Sequence, residues 1–491
     1  MSRILGLLAL VSIVLSHEIT YTGTVRLTKE EFCRHNGLRP NRCDKRFEEH
    51  LKNNPHIEKC PGTELIYSNF CSEFKNEVTN AVDLTTDATS YPPRRQPNFD
   101  EYIEVPPSSS RVPVEKKVME FSLQLFKTAA FGSSPAGNFI LSPVMVQMLL
   151  AYLIDGASNI SRAELKSVLQ LTMDDLKELQ QTLKPDAETA VVPKYKLDIA
   201  SQIFKSTQIE LLPAFQESLK RNKVPLQEMD FSNRRVAVNE INHWVNVTTR
   251  QRITSIVDEN SLDPDTQLML LNAIYFNGSW QYSFNRTVPR ATFHLNENTR
   301  SSCNMMVLSR ELRYGNTQPD HETHGLYWIE LPYTGDTMSM ILLLPNERFQ
   351  LDRELQRFQA HDLENILSEI RGNIKDKIKV NLPMFKADST VSLVEPLKKM
   401  GLSSVFGTGN PFDKLSNTAV KISDVRQKSF LTVNMHGTVA TSVTTLTVIP
   451  LSISRTMDFI ADQPFAAIIV DKQKGIPLFI ARISKPTKIQ E

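Results

Sequence analysis

From residue 114 onward the chain changes its hydrophobic period about half-way along. EKKVMEFSLQLFKTAA carries Val118, Phe121 and Leu125 at helical spacing and predicts an amphipathic helix. In NFILSPVMVQMLLAYLIDGAS, Ser142 stands where a helix cap is needed and Pro143 fits the first turn. This helix is apolar nearly all round, so it is expected to be buried. INHWVNVTTRQRI predicts another helix. LMLLNAIYFNGSW is one continuous strand, apolar on both faces, and belongs in the middle of a covered sheet. LYWIELPYTGDTMSMILLLPNE gives two strands joined by a polar turn, LVEPLKKMGLSSVF a short helix, and IKVNLPMFKA and KSFLTVNMHGT two further strands. Helices early and strands late predict an α+β domain over residues 113–491, built on one large sheet.

One stretch resists this reading. Thr438 to Ser454 reads TVATSVTTLTVIPLSIS, with no charge and many β-branched side chains. Gly437 precedes it and permits backbone angles closed to other residues; Pro450 removes a ladder donor; Arg455 ends it. An ordinary buried strand and a segment with two alternative states both fit these residues.

The formal net charge is +1, from 56 basic and 55 acidic residues, without a basic stripe, which argues against nucleic acid as a partner. At the N-terminus Arg3 precedes the short apolar stretch Ile4 to Leu15, and Val14 and Ser16 suit cleavage before His17. Residues 1–16 therefore read as a secretory signal, too short to span a bilayer, and the mature chain is expected to be extracellular and not a membrane protein. Residues 17–75 hold Cys33, Cys43, Cys60 and Cys71, expected to form two disulfides in any of three connectivities. Cys303 is expected to be free. Residues 76–112 are rich in proline and serine and read as a linker, with Arg94–Arg95 as a nick site and Tyr102 among acidic residues. Asn159, Asn246, Asn277 and Asn285 open Asn-x-Ser/Thr acceptors, expected at the surface. No nucleophile elbow or phosphate loop occurs. His321 and His324 are three apart rather than the four a zinc helix needs. Catalysis, a cofactor and a metal are therefore not expected.

The C-terminal stretch FIADQPFAAIIVDKQKGIPLFIARISKP resembles the serpin signature, through Phe459, Ala461, Asp462, Pro464, Phe465, Pro477, Leu478, Phe479, Arg482 and Pro486 in order. Earlier blocks agree: Asn138, Phe139, Ser142 and Pro143; Asn272 to Phe276 with Trp280; Leu344 to Glu347; and Val433-Asn434 before Gly437-Thr438. The resemblance implies the serpin fold, with a large central sheet, and makes the uncharged run a reactive-centre loop offered to a serine protease. After cleavage the hinge segment Gly437, Thr438, Val439, Ala440, Thr441, Ser442, Val443 and Thr444 would enter the sheet. The stretch from Thr438 to Leu451 spans roughly 45 Å when extended. One face would bury Thr438, Ala440, Ser442, Thr444, Leu446 and Val448, all uncharged. Ser142, Asn272 and Gln427 would form a gate, Gln427 standing where many serpins have histidine.

Some positions depart from inhibitory serpins: Met435 and His436 replace acidic residues, Val439 a polar one, and Ala481 a glycine. DDLKELQQTLKPDAE lacks the basic helix of a heparin-dependent relative, so strong heparin activation is not expected. Counting from Gly437 sets the reactive bond at Leu451–Ser452, for a chymotrypsin- or elastase-like protease; Arg455–Thr456 is the trypsin-like alternative. A non-inhibitory carrier or hormone precursor is the rival function, and the N-terminal unit is expected to bind an extracellular ligand.

Overall fold

The computed structural model describes residues 112–132, 137–183, 195–319, 323–372, 374–438 and 457–487, and the backbone of three short strands nearer the N-terminus. Those strands, β1 (Arg26–Thr28), β2 (Ile57–Lys59) and β3 (Glu64–Tyr67), form an antiparallel sheet with β3 in the middle. The chain divides into two compact units, Met1–Pro107 and Ser108–Glu491. Cys33, Cys43, Cys60 and Cys71 lie outside the described residues.

The larger unit has nine α-helices among its described residues: α1 (Val114–Gly132), α2 (Pro143–Ala151), α3 (Asn159–Leu169), α4 (Met173–Thr182), α5 (Pro213–Arg221), α6 (Arg234–Thr248), α7 (Leu351–Arg357), α8 (Ala360–Arg371) and α9 (Val394–Lys399). Its strands are β4 (Phe139–Leu141), β5 (Tyr195–Ser206), β6 (Leu226–Met229), β7 (Leu268–Gly278), β8 (Arg286–His294), β9 (Arg300–Leu312), β10 (Tyr314–Asn316), β11 (Leu326–Pro332), β12 (Met338–Pro345), β13 (Asp376–Pro383), β14 (Phe385–Ser392), β15 (Ile422–Val433), β16 (Met457–Ile460), β17 (Phe465–Asp471) and β18 (Ile476–Ile483). They make three sheets rather than the single one expected: β10-β11-β12-β17-β18-β4, β16-β13-β9-β8, and β14-β15-β7-β5-β6. The run IKVNLPMFKA explains part of the difference. It breaks at Met384, so β13 and β14 serve different sheets. Proline at 383 removes a donor and forces such a transition to a strand end. INHWVNVTTRQRI supplies only the second half of a helix, α6, that begins at Arg234.

β7 occupies the centre of its five-stranded sheet and is buried on both faces, except at half-buried Asn277. Its apolar alternation feeds two separate cores. Leu270, Ile274 and Phe276 face the main core, which includes α1 and α2. Met269, Leu271 and Ala273 face a second core with Ala237, Ile241 and Val245 of α6. α2 is buried along its whole length, as an all-apolar helix must be. Ser142 takes the cap position, but its hydroxyl makes no cap bond. On α4 the cap is Thr172, in a reciprocal capping box with Asp175. Asp175 is also the buried partner of Lys117 on α1, at 2.8 Å.

Cys303 is free and buried on β9. Burial, with a smaller contribution from Asp462, pushes its thiol up to about 11. At pH 8 its thiolate is then roughly 100-fold scarcer than that of an ordinary thiol. Iodoacetamide is expected to leave Cys303 unmodified in the native protein and to alkylate it in denaturant; equal labelling rates in both states, read by mass spectrometry, would contradict this.

Candidate functional site

The five-stranded sheet has one seam of special geometry. β15 and β7 run parallel and pair directly from Ile422/Leu268 to Phe430/Tyr275. A strand placed between two parallel neighbours runs antiparallel to both, as a hairpin returning from the end of β15 would. The chain makes that turn. Asn434 and Gly437 form an antiparallel bridge, and Gly437 forms a second one with Ser279, beyond the end of β7. Thr438 N–H then donates to the Gly278 carbonyl at 2.7 Å. Gly437 has φ of +153°, and a Cβ on it would lie 2.2 Å from the Gly278 oxygen, so only glycine fits this approach.

Aromatic residues fix the turn. Trp280 and Tyr333 stack at 4.6 Å. The Trp280 backbone N–H donates to the His436 carbonyl and its indole N–H to the Asn434 carbonyl, each at 3.0 Å. Tyr333 shares a 2.7 Å hydrogen bond with the hydroxyl of fully buried Thr438. Burial drives the Tyr333 phenol far above its ordinary value, so it stays protonated. Where acidic residues were the family expectation, Met435 sulfur accepts from the Thr287 hydroxyl at 2.9 Å and His436 N–H donates to the Asn434 side chain at 3.0 Å.

Lower in the seam, on the α2 side, the three expected gate residues meet. Gln427 lies opposite Asn272 and donates to its side-chain oxygen at 2.8 Å. The same amide accepts from the Ser142 N–H at 2.6 Å and donates to the Ser142 carbonyl at 2.9 Å. Gln427 thus replaces a ring nitrogen with a group that donates and accepts at once. Ser142 takes part through its backbone, not its hydroxyl, which is buried without a partner. Two participants had no sequence signal: Ser201 on β5, which accepts from Asn272, and Ser429, which donates to Gln427 at 3.1 Å.

Over the opposite face of the sheet runs the segment after α6. Lys428 of β15 donates to its Ser255 carbonyl at 2.8 Å. Arg250 and Gln251 in this segment hold φ of 51° and 64°, the left-handed region that glycine occupies without strain. Gln251→Gly is expected to stabilise the native state by about 0.5 kcal/mol, the relief being partly offset by entropy of the unfolded chain. Chemical denaturation checks this, and a loss of stability would contradict it.

The remaining expected sites divide. Val439, Ala440, Thr441, Ser442, Val443, Thr444, Leu451, Ser452, Arg455 and Thr456 lie outside the described residues, as does His321. His324 sits beside Glu354 and Arg357. Among the described residues no His, Cys, Asp and Glu cluster could hold a metal ion. Asn159 and Asn285 are exposed, whereas Asn246 and Asn277 are half-buried, against the surface position expected for all four.

The comparisons fit this architecture. The serpin (serine protease inhibitor) family model matches residues 116–486. The chain belongs to the serpin family. It is 30% identical over 374 residues to leukocyte elastase inhibitor of Sus scrofa, covering 74% of this serpin and 97% of that protein. Iripin-2 of Ixodes ricinus is 28% identical over 376 residues, covering 74% and 91%. Among solved structures, Serpin48 of Tenebrio molitor, a highly specific serpin, aligns with a TM-score of 0.64 at 26% identity, over 76% of this chain and 98% of that one. Uncleaved ovalbumin aligns at 0.66 and 23% identity, over 76% and 100%, a likeness of fold alone.

Proposed function

We propose that this serpin is a secreted inhibitor that traps a serine protease as an acyl-enzyme, with the uncharged run from Thr438 to Ser454 as the bait loop. The observation that carries the reading is the turn at Gly437, which already leads the chain between β15 and β7 with Thr438 buried. Extending both bridges rung by rung gives one register. Ala440 falls between Leu431 and Phe276, Ser442 between Ser429 and Ile274, Thr444 between the gate residues Gln427 and Asn272, and Leu446 between Val425 and Leu270. The two ladders assign the same residue to every rung down to Asp424/Met269, because the Gln427/Asn272 offset matches that of the bridges; below it β15 bulges, and the ladder of β7 alone sets the register. Each of these side chains would face the main core, and all are uncharged, so burial carries no desolvation penalty for an ion.

In the chemical step the target's serine oxygen attacks the Leu451 carbonyl carbon. The Leu451–Ser452 C–N bond breaks, the new amine of Ser452 takes up a proton, and an ester remains. The incoming strand is complete at Val448, opposite Leu268 at the start of β7. Leu451 is then three residues beyond the strand and Arg455 seven, a tether longer by roughly 13 Å. A short tether holds the acylated protease against the domain, which favours Leu451–Ser452 as the trapping bond. The signal segment and residues 17–112 support export and a separate module for an extracellular ligand.

Mixing the protein with a chymotrypsin-like and a trypsin-like protease tests the reading. A complex stable on denaturing gels, with a released peptide that begins at Ser452, is expected from the first. Cleavage by both proteases without a complex would favour the rival, a carrier or hormone-precursor serpin.

A further inference from the structure

The seam between β15 and β7 has contacts on its outer face as well as at the gate, and these do not involve the gate residues. Tyr275 of β7 and Phe430 of β15 stand directly opposite each other, on the side away from Asn272 and Gln427. Their rings stack at 5.9 Å, tilted by 29°. A cation lies over each ring: the Arg252 guanidinium over Tyr275 at 5.4 Å and the Lys386 ammonium over Phe430 at 4.8 Å. Arg252 comes from the segment after α6, which Lys428 ties to β15 two residues from Phe430. Lys386 comes from β14, beyond β15. The row thus runs from the segment over the sheet, across the seam, to the edge strand.

We propose that this aromatic row is a second lock on the seam, setting the barrier to strand entry independently of the Gln427–Asn272–Ser142 gate. Tyr275 and Phe430 act as positioning residues: they hold the two strands together and touch neither the target nor the bond it cleaves. The proposal rests on the trapping reading above. In the register derived there, the rung at Tyr275/Phe430 receives Thr441, so entry separates the rings by one strand width of about 4.8 Å. The stack then exists only before entry, and its loss counts against the native state alone. An aromatic pair contributes about 0.5–1.5 kcal/mol beyond its buried area, so its removal corresponds to a two- to tenfold faster opening. The Tyr275 hydroxyl takes no part, being buried without a hydrogen-bond partner.

The test compares thermal unfolding of the intact and loop-cleaved full-length protein for wild type, Phe430→Leu and Tyr275→Phe. Cleavage is expected to raise the wild-type Tm. Phe430→Leu is expected to lower the intact Tm by about 3 °C while moving the cleaved Tm by less than half as much. It is also expected to speed conversion of the intact protein to an inserted form on warming by two- to tenfold. Tyr275→Phe keeps the stack and is expected to match wild type in both forms. Equal losses in intact and cleaved Phe430→Leu would make Phe430 ordinary core and overturn the lock, leaving the trapping reading standing. A wild-type Tm unchanged by cleavage would overturn both.

Discussion

On the trapping reading, Thr438→Arg is expected to turn the protein from a trap into a substrate. Thr438 is fully buried at the mouth of the seam, bonded through its N–H to Gly278 and through its hydroxyl to Tyr333. Among the described residues that bond or flank it, Gly278, Trp280, Tyr333, Met435 and His436, none offers an arginine a carboxylate. Burying an unpaired charge costs several kcal/mol, so the substituted residue stays out of the seam and the strand cannot begin to enter. A loss of about 3 kcal/mol reduces trapping relative to turnover by roughly 100-fold. On a denaturing gel the variant is expected to show cleaved serpin and free protease. Undiminished complex would refute a role for Thr438 at the leading end of the incoming strand.

Gln427→Leu is expected to destabilise the intact protein by about 3 kcal/mol or more. The leucine is close to glutamine in size, so the loss comes from hydrogen bonds rather than from a cavity. It strands the Ser142 N–H and carbonyl, the Asn272 side-chain oxygen and the Ser429 hydroxyl in a buried site. Each unsatisfied group costs about 1–3 kcal/mol. Because the gate pair is separated when the strand enters, the cleaved protein should lose less, and the intact protein should convert on warming faster than wild type. Denaturant titration of both forms reads the difference. A variant as stable as wild type would show that the amide closes nothing.

Much of this was legible in the residues. The continuous apolar run at β7 forecast a central strand, and the resemblance to the serpin signature pointed to Asn272 within it as a gate residue. Gly437 at the head of an uncharged β-branched run marked the turn. Other features were not legible, for physical reasons. The division into three sheets depends on which partner each strand finds, and a period of two in IKVNLPMFKA is the same on either side of Met384. Ser142 looked like a helix cap because serine usually caps with its side chain; its backbone is what Gln427 bonds. Ser201 and the Tyr275–Phe430 stack come from cross-strand register, which a single strand's pattern does not contain.

Hydrogen exchange, read by mass spectrometry before and after cleavage within residues 439–456, tests the central claim most directly. If the loop becomes a strand between β15 and β7, amides of residues 439–448 become as protected after cleavage as those of β7 itself. Protection should end near Val448, leaving residues 449–451 exchanging freely. Rapid exchange throughout residues 439–448 after cleavage, with β7 and β15 unchanged, would contradict strand entry and the trapping mechanism built on it.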